Sequence, residues 1–369
     1  MARKRIFAAC VAIGMALAPA AARGGDPSPV IGEQGPFSER NQLPFNLLFL
    51  AFPARGGALL SQGEKEVIVV EAYGNTFSGS DVLVQINTDE RVRLTPEALL
   101  EAQLTQPGES LFFLDTEQAR TSLMLRWGAS RRFELDLEVP FLSYFGGQLD
   151  SAIEWYHNFG SLGNADREHF VQDAVQVALT LGDKTYFRDS SPSHFRPSDA
   201  VITGRLGLAD SPRGSAALSM GVKLPTGSAE DLSGSGSFDE GLEMEGTLRW
   251  GRQRVHLSGG WVHVGNWDLF PEFNPTDLAN FGAAYEYVRN ARLSWVFQLQ
   301  TQSSVFRNHE EADGYLADFS TELLLGARWK GASGRWAFQT ALIENLIDQN
   351  NGMDVGILAG FSVLSRPAP

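Results

Sequence analysis

His256 and Ser258 are two side chains whose types and spacing could support nucleophilic catalysis. A serine oxygen attacks an ester carbonyl when a histidine takes its proton and a third polar residue orients the imidazole ring. The neighbours Val255 and Leu257 are apolar, so this stretch predicts a strand on which His256 and Ser258 share the polar face. The adjacent predicted strand offers Arg249 rather than an orienting asparagine. We therefore expect no enzyme and keep lipid modification as a third hypothesis.

Acidic side chains between residues 228 and 241 could bind a divalent cation, because Ca²⁺ prefers carboxylate oxygens. They lack the fixed ligand spacing of a calcium loop, and the chain has no glycine-rich phosphate loop or histidine–glutamate zinc motif. The single cysteine, Cys10, excludes a disulfide framework and an all-cysteine metal site. We therefore expect no metal and no cofactor. The acidic residues of this segment are Glu230, Asp231, Asp239 and Glu240.

The charge and composition exclude further classes of protein. The formal net charge of -14 argues against a nucleic-acid partner, because phosphate binding requires a basic surface. The mean hydropathy is -0.14, which argues against a bundle of membrane helices. Aromatic residues nevertheless make up 11% of the 369 residues, and 38 residues are glycine. This combination requires a fold that uses many aromatics without long apolar runs.

The elements that position these side chains are predicted to be strands. In the clearest run, the apolar residues Phe133, Leu135 and Leu137 alternate with the acidic residues Glu134 and Asp136. A period of two over about ten residues gives a strand one apolar and one polar face, whereas successive side chains of a helix turn by about 100°. Twelve such spans are predicted, near 65–74, 117–127, 132–142, 200–209, 215–225, 242–251, 254–264, 279–288, 291–303, 318–329, 335–345 and 354–363.

The lengths of the spans and of their connections favour a membrane barrel over a soluble sandwich. Strands of globular proteins average about five or six residues, whereas about nine to eleven residues cross a bilayer at a tilt. Short and long connections alternate along the chain, as in outer-membrane barrels. We therefore predict an all-β fold, a transmembrane antiparallel β-barrel in the outer membrane of a Gram-negative bacterium. Tryptophans that flank short connections predict a girdle at the periplasmic rim: Trp127, Trp250, Trp329 and Trp336.

The number of strands is predicted to be even, because both ends of such a barrel lie in the periplasm. Residues 171–187 also look extended, but one more span would break this parity. We interpret them as a hairpin within the long outer loop 143–199, with its turn at Gly182 and Asp183. The prediction is therefore twelve strands, and fourteen strands are the main alternative.

The polar faces of the strands are predicted to line the lumen. We place the tryptophan that precedes each of two short turns opposite the first apolar residue that follows the turn. This register puts Arg126 opposite Glu134 and Arg249 opposite His256. Charges of both signs indicate internal ladders rather than a wide pore of one sign. The predicted lumen residues are Arg126, Glu134, Asp136, Glu138, Glu243, Glu245, Arg249 and His256.

The N-terminus has the pattern of a secretory signal peptide. Basic residues 3–5 precede an apolar stretch, residues 6–17, and small residues then offer a cleavage site. The apolar stretch is too short for a membrane helix. The predicted organisation is a signal peptide at 1–22, a periplasmic N-terminal segment or plug at 23–62, the barrel at 63–363 and a C-terminal tail at 364–369.

Residues 41–52 precede the first span and contain an apolar stretch without alternation. The stretch is too short to cross a membrane as a helix. It could pack into the lumen as a plug or lie against the periplasmic rim, and the sequence does not separate these two placements.

Residues 149–159 predict a short helix in the long outer loop. Ser151 and Glu154 fit a capping box, and Leu149 and Ile153 fall on one face. The helix could be a lid that contacts a ligand, or it could close the barrel mouth structurally, as loops do in barrels of this size. The ligand-binding candidates of such a lid are Asp150, Glu154, Trp155 and His157.

A resemblance to a known family appears after the strand at 132–142. The run Gly146-Gly147-Gln148-Leu149-Asp150, continuing to Glu154-Trp155-Tyr156-His157, is similar to bacterial outer-membrane proteins grouped as domain-of-unknown-function family 3187. Residues 41–45, 223–227 and 344–346 are also similar to it. The resemblance covers about residues 40–363 and implies an exported β-barrel of unassigned role, with no catalytic residues to transfer. One departure is that Phe361 is followed by further residues, whereas barrel chains commonly end on an aromatic.

Three functions therefore remain as hypotheses. The first is an outer-membrane barrel that passes or binds a small solute, and the second is a closed structural or assembly barrel without transport. The third is a lipid-modifying enzyme at His256 and Ser258. The expected partners are outer-membrane lipid and lipopolysaccharide, the barrel assembly machinery and, for the first function, a small-molecule solute.

Overall fold

The computed structural model describes residues 33–85, 90–147, 149–160, 166–308, 314–345 and 353–366. The predicted signal peptide lies outside these residues. Within them, no helix is both long enough and apolar enough to cross a membrane.

The described chain forms a closed antiparallel barrel of twelve strands, because β1 pairs with β2 on one side and with β15 on the other. This confirms the predicted count, and the fourteen-strand alternative is wrong. Three further strands, β4 (Gln176–Leu181), β5 (Lys184–Arg188) and β6 (Arg196–Pro197), belong to the outer loop. The barrel strands, numbered in chain order, are β1 Lys65–Gly79, β2 Phe112–Ser130, β3 Phe133–Phe145, β7 Ala200–Ser211, β8 Gly214–Leu224, β9 Asp239–Trp250, β10 Gln253–His263, β11 Leu278–Val288, β12 Leu293–Gln302, β13 Ser320–Lys330, β14 Trp336–Asn345 and β15 Val355–Ser365.

The hairpin predicted inside the outer loop is present, since β4 and β5 pair across Gly182 and Asp183. Gly182 has a φ of +57°, a left-handed conformation that glycine adopts without a steric penalty. β4 also pairs with the outer end of β2 and so extends the barrel wall above the predicted membrane level.

Among the described residues, helices lie in the N-terminal segment and in the long connections between strands. α2 begins after Thr95, whose hydroxyl accepts a hydrogen bond from the Ala98 amide, and Pro96 occupies its first turn. The connection between β1 and β2, which carries α1 and α2, was not predicted to be helical. The helices are α1 Asp81–Val84, α2 Pro96–Thr105, α3 Asp150–Gly160 and α4 Gly314–Ala317, with 3₁₀ turns at Asn46–Leu48 and Arg167–His169.

The outer face of the barrel is an exposed apolar surface, as the alternation predicts. Val67 and Val69 of β1 are each 44% exposed, whereas Ile68 and Val70 between them are buried. All four tryptophans of the predicted rim girdle are exposed at the ends of strands beside short turns. This surface has the composition that a lipid-facing band requires.

The register differs from the prediction at two turns. The turn between β9 and β10 has only two residues, so Trp250 pairs with Gln253 and Arg249 faces Arg254 rather than His256. Between β2 and β3, an irregularity at Gly128 and Ser130 shifts the pairing. Arg126 therefore faces Asp136 and reaches Glu134 only diagonally. The sequence shows the period of a strand but not the turn geometry that fixes its register.

The described part of the N-terminal segment, residues 33–62, lies inside the barrel. Its ascending arm, residues 33–42, enters near the short-turn ends of β9–β13. Its tip, residues 43–50, lies beneath the outer loops, and its descending arm, residues 51–62, returns to the start of β1. Nearly all of residues 36–52 are buried. We call residues 33–62 the plug.

Candidate functional site

The ascending arm of the plug is bound to the barrel wall by backbone hydrogen bonds. The amides of Gln34 and Gly35 donate to the Glu286 carboxylate at 2.9 and 3.0 Å. The Phe37 amide donates to Oε1 of Gln298 at 2.8 Å. Because an extended chain has no internal partners for its amides, the polar lumen face satisfies them instead.

The tip of the plug is compact and apolar. The Arg40 guanidinium donates from Nη2 to the carbonyls of Asn46 and Phe49, each at 2.6 Å, and so holds the 3₁₀ turn closed. Phe45 and Phe49 each lie 6.0 Å from the Trp267 ring, measured between centroids. Since Trp267 belongs to the loop between β10 and β11, the tip and the outer loops share one core. We call this core the cap: Phe45, Phe49, Trp267, Phe270, Phe273 and Phe306.

The descending arm is bound mainly through acidic and hydroxyl side chains of the wall. The Gly57 amide donates to Oγ1 of Thr247 at 3.1 Å and the Leu60 amide to Glu134 at 2.5 Å, and at the end of the tip the Leu50 amide donates to Asp239 at 2.7 Å. Gly57 lies so close to the wall that a Cβ there would be 2.5 Å from the Ser215 carbonyl oxygen. This close approach requires glycine.

Most of the predicted lumen charges form ion pairs. Arg205 is fully buried between Glu134, at 2.7 Å, and Glu245. Arg205 also donates to the Gly56 carbonyl of the plug at 2.8 Å. Further ion pairs of this wall include Arg126 with Glu66 and Glu134, Arg120 with Glu138, Arg55 with Asp136, and Lys223 with Asp199 and Asp239.

Glu243 and Arg249 have different surroundings. Glu243 accepts a hydrogen bond from Asn280 at 2.9 Å, and its Oε2 has no hydrogen-bond partner among the described residues. Arg249 lies at the periplasmic end and pairs with Glu33 of the plug. The lumen is therefore an ionic network into which the plug is integrated.

His256 does not serve Ser258. Its Nδ1 lies 2.9 Å from the Thr247 hydroxyl, and its Nε2 lies 3.1 Å from the Glu286 carboxylate. This arrangement has the order hydroxyl, imidazole, carboxylate, but Thr247 is 1% exposed and its oxygen already accepts the plug amide of Gly57. Both hydroxyls are buried, since Ser258 is 5% exposed.

The three lid candidates whose side chains the structure describes have different surroundings. Asp150 is 2% exposed and accepts hydrogen bonds from Asn75 at 3.0 Å and from the Asp173 amide at 2.7 Å. Glu154 pairs with Arg91 at 2.8 Å, and Trp155 is 68% exposed. The side chain of His157 lies outside the described part.

The charge state of Glu154 follows from these contacts. Burial opposes ionisation of Glu154, but the hydrogen bonds from Arg91 and Gln172 outweigh it and lower the pKa of the carboxyl. α3 is thereby attached to the neighbouring loop segments by ionic contacts.

A cavity of about 410 Å³ lies at the short-turn end of the barrel, between the plug and the ends of the strands. We call it the cationic vestibule, because positively charged side chains outnumber the carboxylates, Glu33 and Glu66, on its walls. The sequence analysis does not identify Arg328 and Lys330 as part of a site. Their spacing is nevertheless a usable signal, because two cations two residues apart at the end of a strand lie on the same face. The principal cations are Arg126, Arg249, Arg328, Lys330, Arg335 and Arg366.

In the described part of the chain, no group of three or more histidine, cysteine, aspartate or glutamate side chains could hold a metal ion. The acidic residues of 228–241 are instead divided among other roles: Asp239 pairs with Lys223, and Glu230 accepts at its backbone carbonyl from Tyr186.

Comparison with known proteins identifies a family and a fold. The family described as Protein of unknown function (DUF3187) matches residues 28–363. Among solved structures, the COG4313 outer membrane channel from Pseudomonas putida F1 superposes with a TM-score of 0.52 at 14% identity, over 86% of this chain and 100% of that one. At this identity the match shows a shared fold, that of an outer-membrane channel barrel.

Two other solved barrels are more distant. The NanC porin gives a TM-score of 0.39 at 7% identity, over 80% of this chain and 98% of that one. The Pseudomonas putida toluene transporter TodX gives 0.37 at 8% identity, over 89% and 98%. No curated protein matches the sequence.

Proposed function

We propose that this chain, which belongs to the DUF3187 family of proteins of unknown function, is an outer-membrane barrel that passes or binds a small solute and is closed at rest by its own plug. Displacement of the plug arms opens the lumen. This role uses the channel fold and gives the buried N-terminal segment a purpose.

The observation that carries the proposal is the path of the plug. It passes through the lumen twice as extended chain, and its arms are held by ion pairs such as Arg55 with Asp136 and by neutral hydrogen bonds such as those to Gln298 and Thr247. A hydrogen bond of this kind contributes about 1 kcal/mol net, because water replaces it when the groups separate. The polar wall behind the arms is suited to water once they leave.

The exposed apolar band supports a location in the outer membrane of a Gram-negative bacterium, with lipid and lipopolysaccharide as surroundings and insertion by the barrel assembly machinery. We place the short turns and both chain termini of the barrel in the periplasm. The rim tryptophans beside the short turns support this orientation: Trp127, Trp250, Trp329 and Trp336.

The second candidate is a closed structural or assembly barrel, and the cap favours it. Trp267 is fully buried and joins the plug tip to the outer loops in one apolar core. A core of this kind resists displacement of the tip more than hydrogen bonds do. The two candidates differ in whether the arms move.

A disulfide between the plug and the wall separates them. A Cβ at Gly282 of β11 would lie 3.6 Å from the Cβ of Ala54 on the descending arm, which suits a disulfide once the Ser258 hydroxyl, 2.7 Å from that position, rotates away. The only native cysteine, Cys10, lies in the predicted signal peptide. We expect Ala54→Cys/Gly282→Cys to conduct ions in a planar bilayer when reduced and to lose that conductance when oxidised.

The single variant Ala54→Cys is the matched control and should conduct equally under both conditions. If the reduced double variant shows no conductance, even after deletion of residues 149–170, the solute-passing role is wrong and the closed barrel is favoured. If oxidation leaves conductance unchanged, passage does not depend on the descending arm.

A further inference from the structure

We infer that the cationic vestibule is a binding site for small oxyanions, that is, solutes carrying a carboxylate or phosphate group. This inference rests on the proposed function and names its solute class. The site is formed by the periplasmic ends of β13–β15 and the adjoining end of the plug, in the cavity of about 410 Å³. A cavity of this volume accepts a small molecule.

The cations of the vestibule fall into two groups. Arg126 and Arg249 already have carboxylate partners, since Arg126 pairs with Glu66 at 2.8 Å and Arg249 pairs with Glu33. These pairs use both carboxylates that line the cavity. They leave the second group without an ion-pair partner among the described residues.

Arg328 and Lys330 form that second group. Nη1 of Arg328 donates to the Pro36 carbonyl and Nζ of Lys330 to the Glu33 carbonyl at 2.7 Å, so each meets a neutral plug oxygen. Nε of Arg328 is buried without a hydrogen-bond partner among the described residues. Among the described residues, no carboxylate lies within ion-pair distance of Arg328 or of Lys330.

The fold brings these charges together. Arg328 and Lys330 are two apart on β13 and therefore share its lumen face. Arg335 in the turn between β13 and β14 and Arg366 after β15 line the same cavity. Arg366 lies 3.3 Å from Glu64, which compensates one of the four charges. Three cations that form no ion pair among the described residues therefore line one cavity, and such a concentration of positive charge attracts anions.

The chemistry of the donors defines the ligand class. A guanidinium presents parallel N–H donors that match the two oxygens of a carboxylate or phosphate, and an ammonium adds a point charge. The plug closes the inner side of the cavity, so an anion bound here also contacts the segment that must move. A bound anion therefore competes with the plug carbonyls for Arg328 and Lys330.

The test is isothermal titration of the purified full chain in a neutral detergent at low salt, with inorganic phosphate and with succinate as probes. We expect saturable binding of at least one probe, weakened at least tenfold by Arg328→Gln and by Lys330→Gln. Arg328→Lys keeps the charge but loses the planar donor pair, so it should fall between the wild type and Arg328→Gln. Phosphate binding alone, or succinate binding alone, assigns the anion class.

Arg252→Gln is the matched control, because Arg252 is an exposed cation of the β9–β10 turn that does not line the vestibule. Equal affinities in Arg252→Gln and Arg328→Gln, or no saturable binding of either probe by the wild type, would overturn the inference. The titration requires no conduction. Binding by a protein that never conducts contradicts only the channel role, and conduction without binding contradicts only the oxyanion site.

Discussion

The two ends of the plugged lumen are held by different forces. At the outer end, the plug tip packs in the apolar cap around Trp267, which is fully buried. At the periplasmic end, the plug arms meet a cavity wall of arginine and lysine side chains. Apolar packing is insensitive to salt and charge, whereas the periplasmic contacts depend on both.

This difference indicates which end of the plug responds to a solute. A periplasmic anion can replace the carbonyl contacts of Arg328 and Lys330 one at a time, but removing the tip exposes the whole cap at once. We therefore expect the arms to be the adjustable part and the tip to be the anchor. The comparison becomes testable by weakening each end separately.

The largest effect is expected at the cap. Trp267→Ala should lower the free energy of unfolding by about 4 kcal/mol, because it removes a fully buried indole whose ring neighbours come from the plug tip and two outer loops. Urea unfolding followed by tryptophan fluorescence measures this loss. Trp267→Phe should cost much less, because Nε1 of Trp267 has no hydrogen-bond partner in the described part of the chain.

Trp155→Ala is the matched control for that experiment. Trp155 is 68% exposed on α3, and truncating it should change the unfolding free energy by less than about 0.5 kcal/mol. Equal losses for Trp155→Ala and Trp267→Ala would show that the cap does not anchor the plug.

A somewhat smaller effect is expected from Arg205, which connects the wall to the descending arm. Arg205→Met leaves Glu134 and Glu245 buried without their shared cation and removes the donor to the Gly56 carbonyl. We expect a loss of about 3 kcal/mol in unfolding free energy, measured by the same urea titration, together with more frequent channel opening in planar bilayers.

The control for Arg205→Met neutralises the stranded carboxylates. Adding Glu134→Gln and Glu245→Gln to Arg205→Met should recover part of the stability, because the buried negative charges are then removed. It should leave the more frequent opening in place, since the donor to the plug is still missing. Recovery of both properties would mean that Arg205 acts only within the wall.

The barrel itself was predictable from sequence because the membrane imposes a strict rule. Lipid on one side and polar lumen on the other force a period of two, and Phe133 to Glu138 follow it without exception. The strand count followed from the same rule together with parity. The family resemblance at residues 146–157 was confirmed over residues 28–363.

The plug was not predictable to the same degree. Residues 33–62 have no period, because an extended chain in a lumen takes its hydrogen bonds from scattered side chains such as Glu286 and Thr247 rather than from a neighbouring strand. The pairing of Arg249 with His256 was wrong because it depended on the length of one turn. Arg328 and Lys330 were missed as a site, since only the closed barrel and the plug show which lumen charges lack partners.

The smallest effect is expected from charge at the outer end, where packing dominates. Arg91→Gln removes the partner of Glu154, and because Arg91 is 36% exposed, solvent screening limits the loss to about 0.5 kcal/mol at pH 7. The pKa of Glu154 is lowered in the folded protein, so this stabilisation is complete above the ordinary glutamate pKa and disappears as pH falls through the lowered value. The difference in unfolding free energy between wild type and Arg91→Gln should therefore shrink as pH falls below the ordinary glutamate pKa and vanish once Glu154 is protonated. The control is Arg188→Gln, which changes a cation stacked on Tyr186 in the β4–β5 hairpin and should show no such pH dependence. A stability difference for Arg91→Gln that persists in acid would mean that Arg91 stabilises the outer loops by packing rather than by charge.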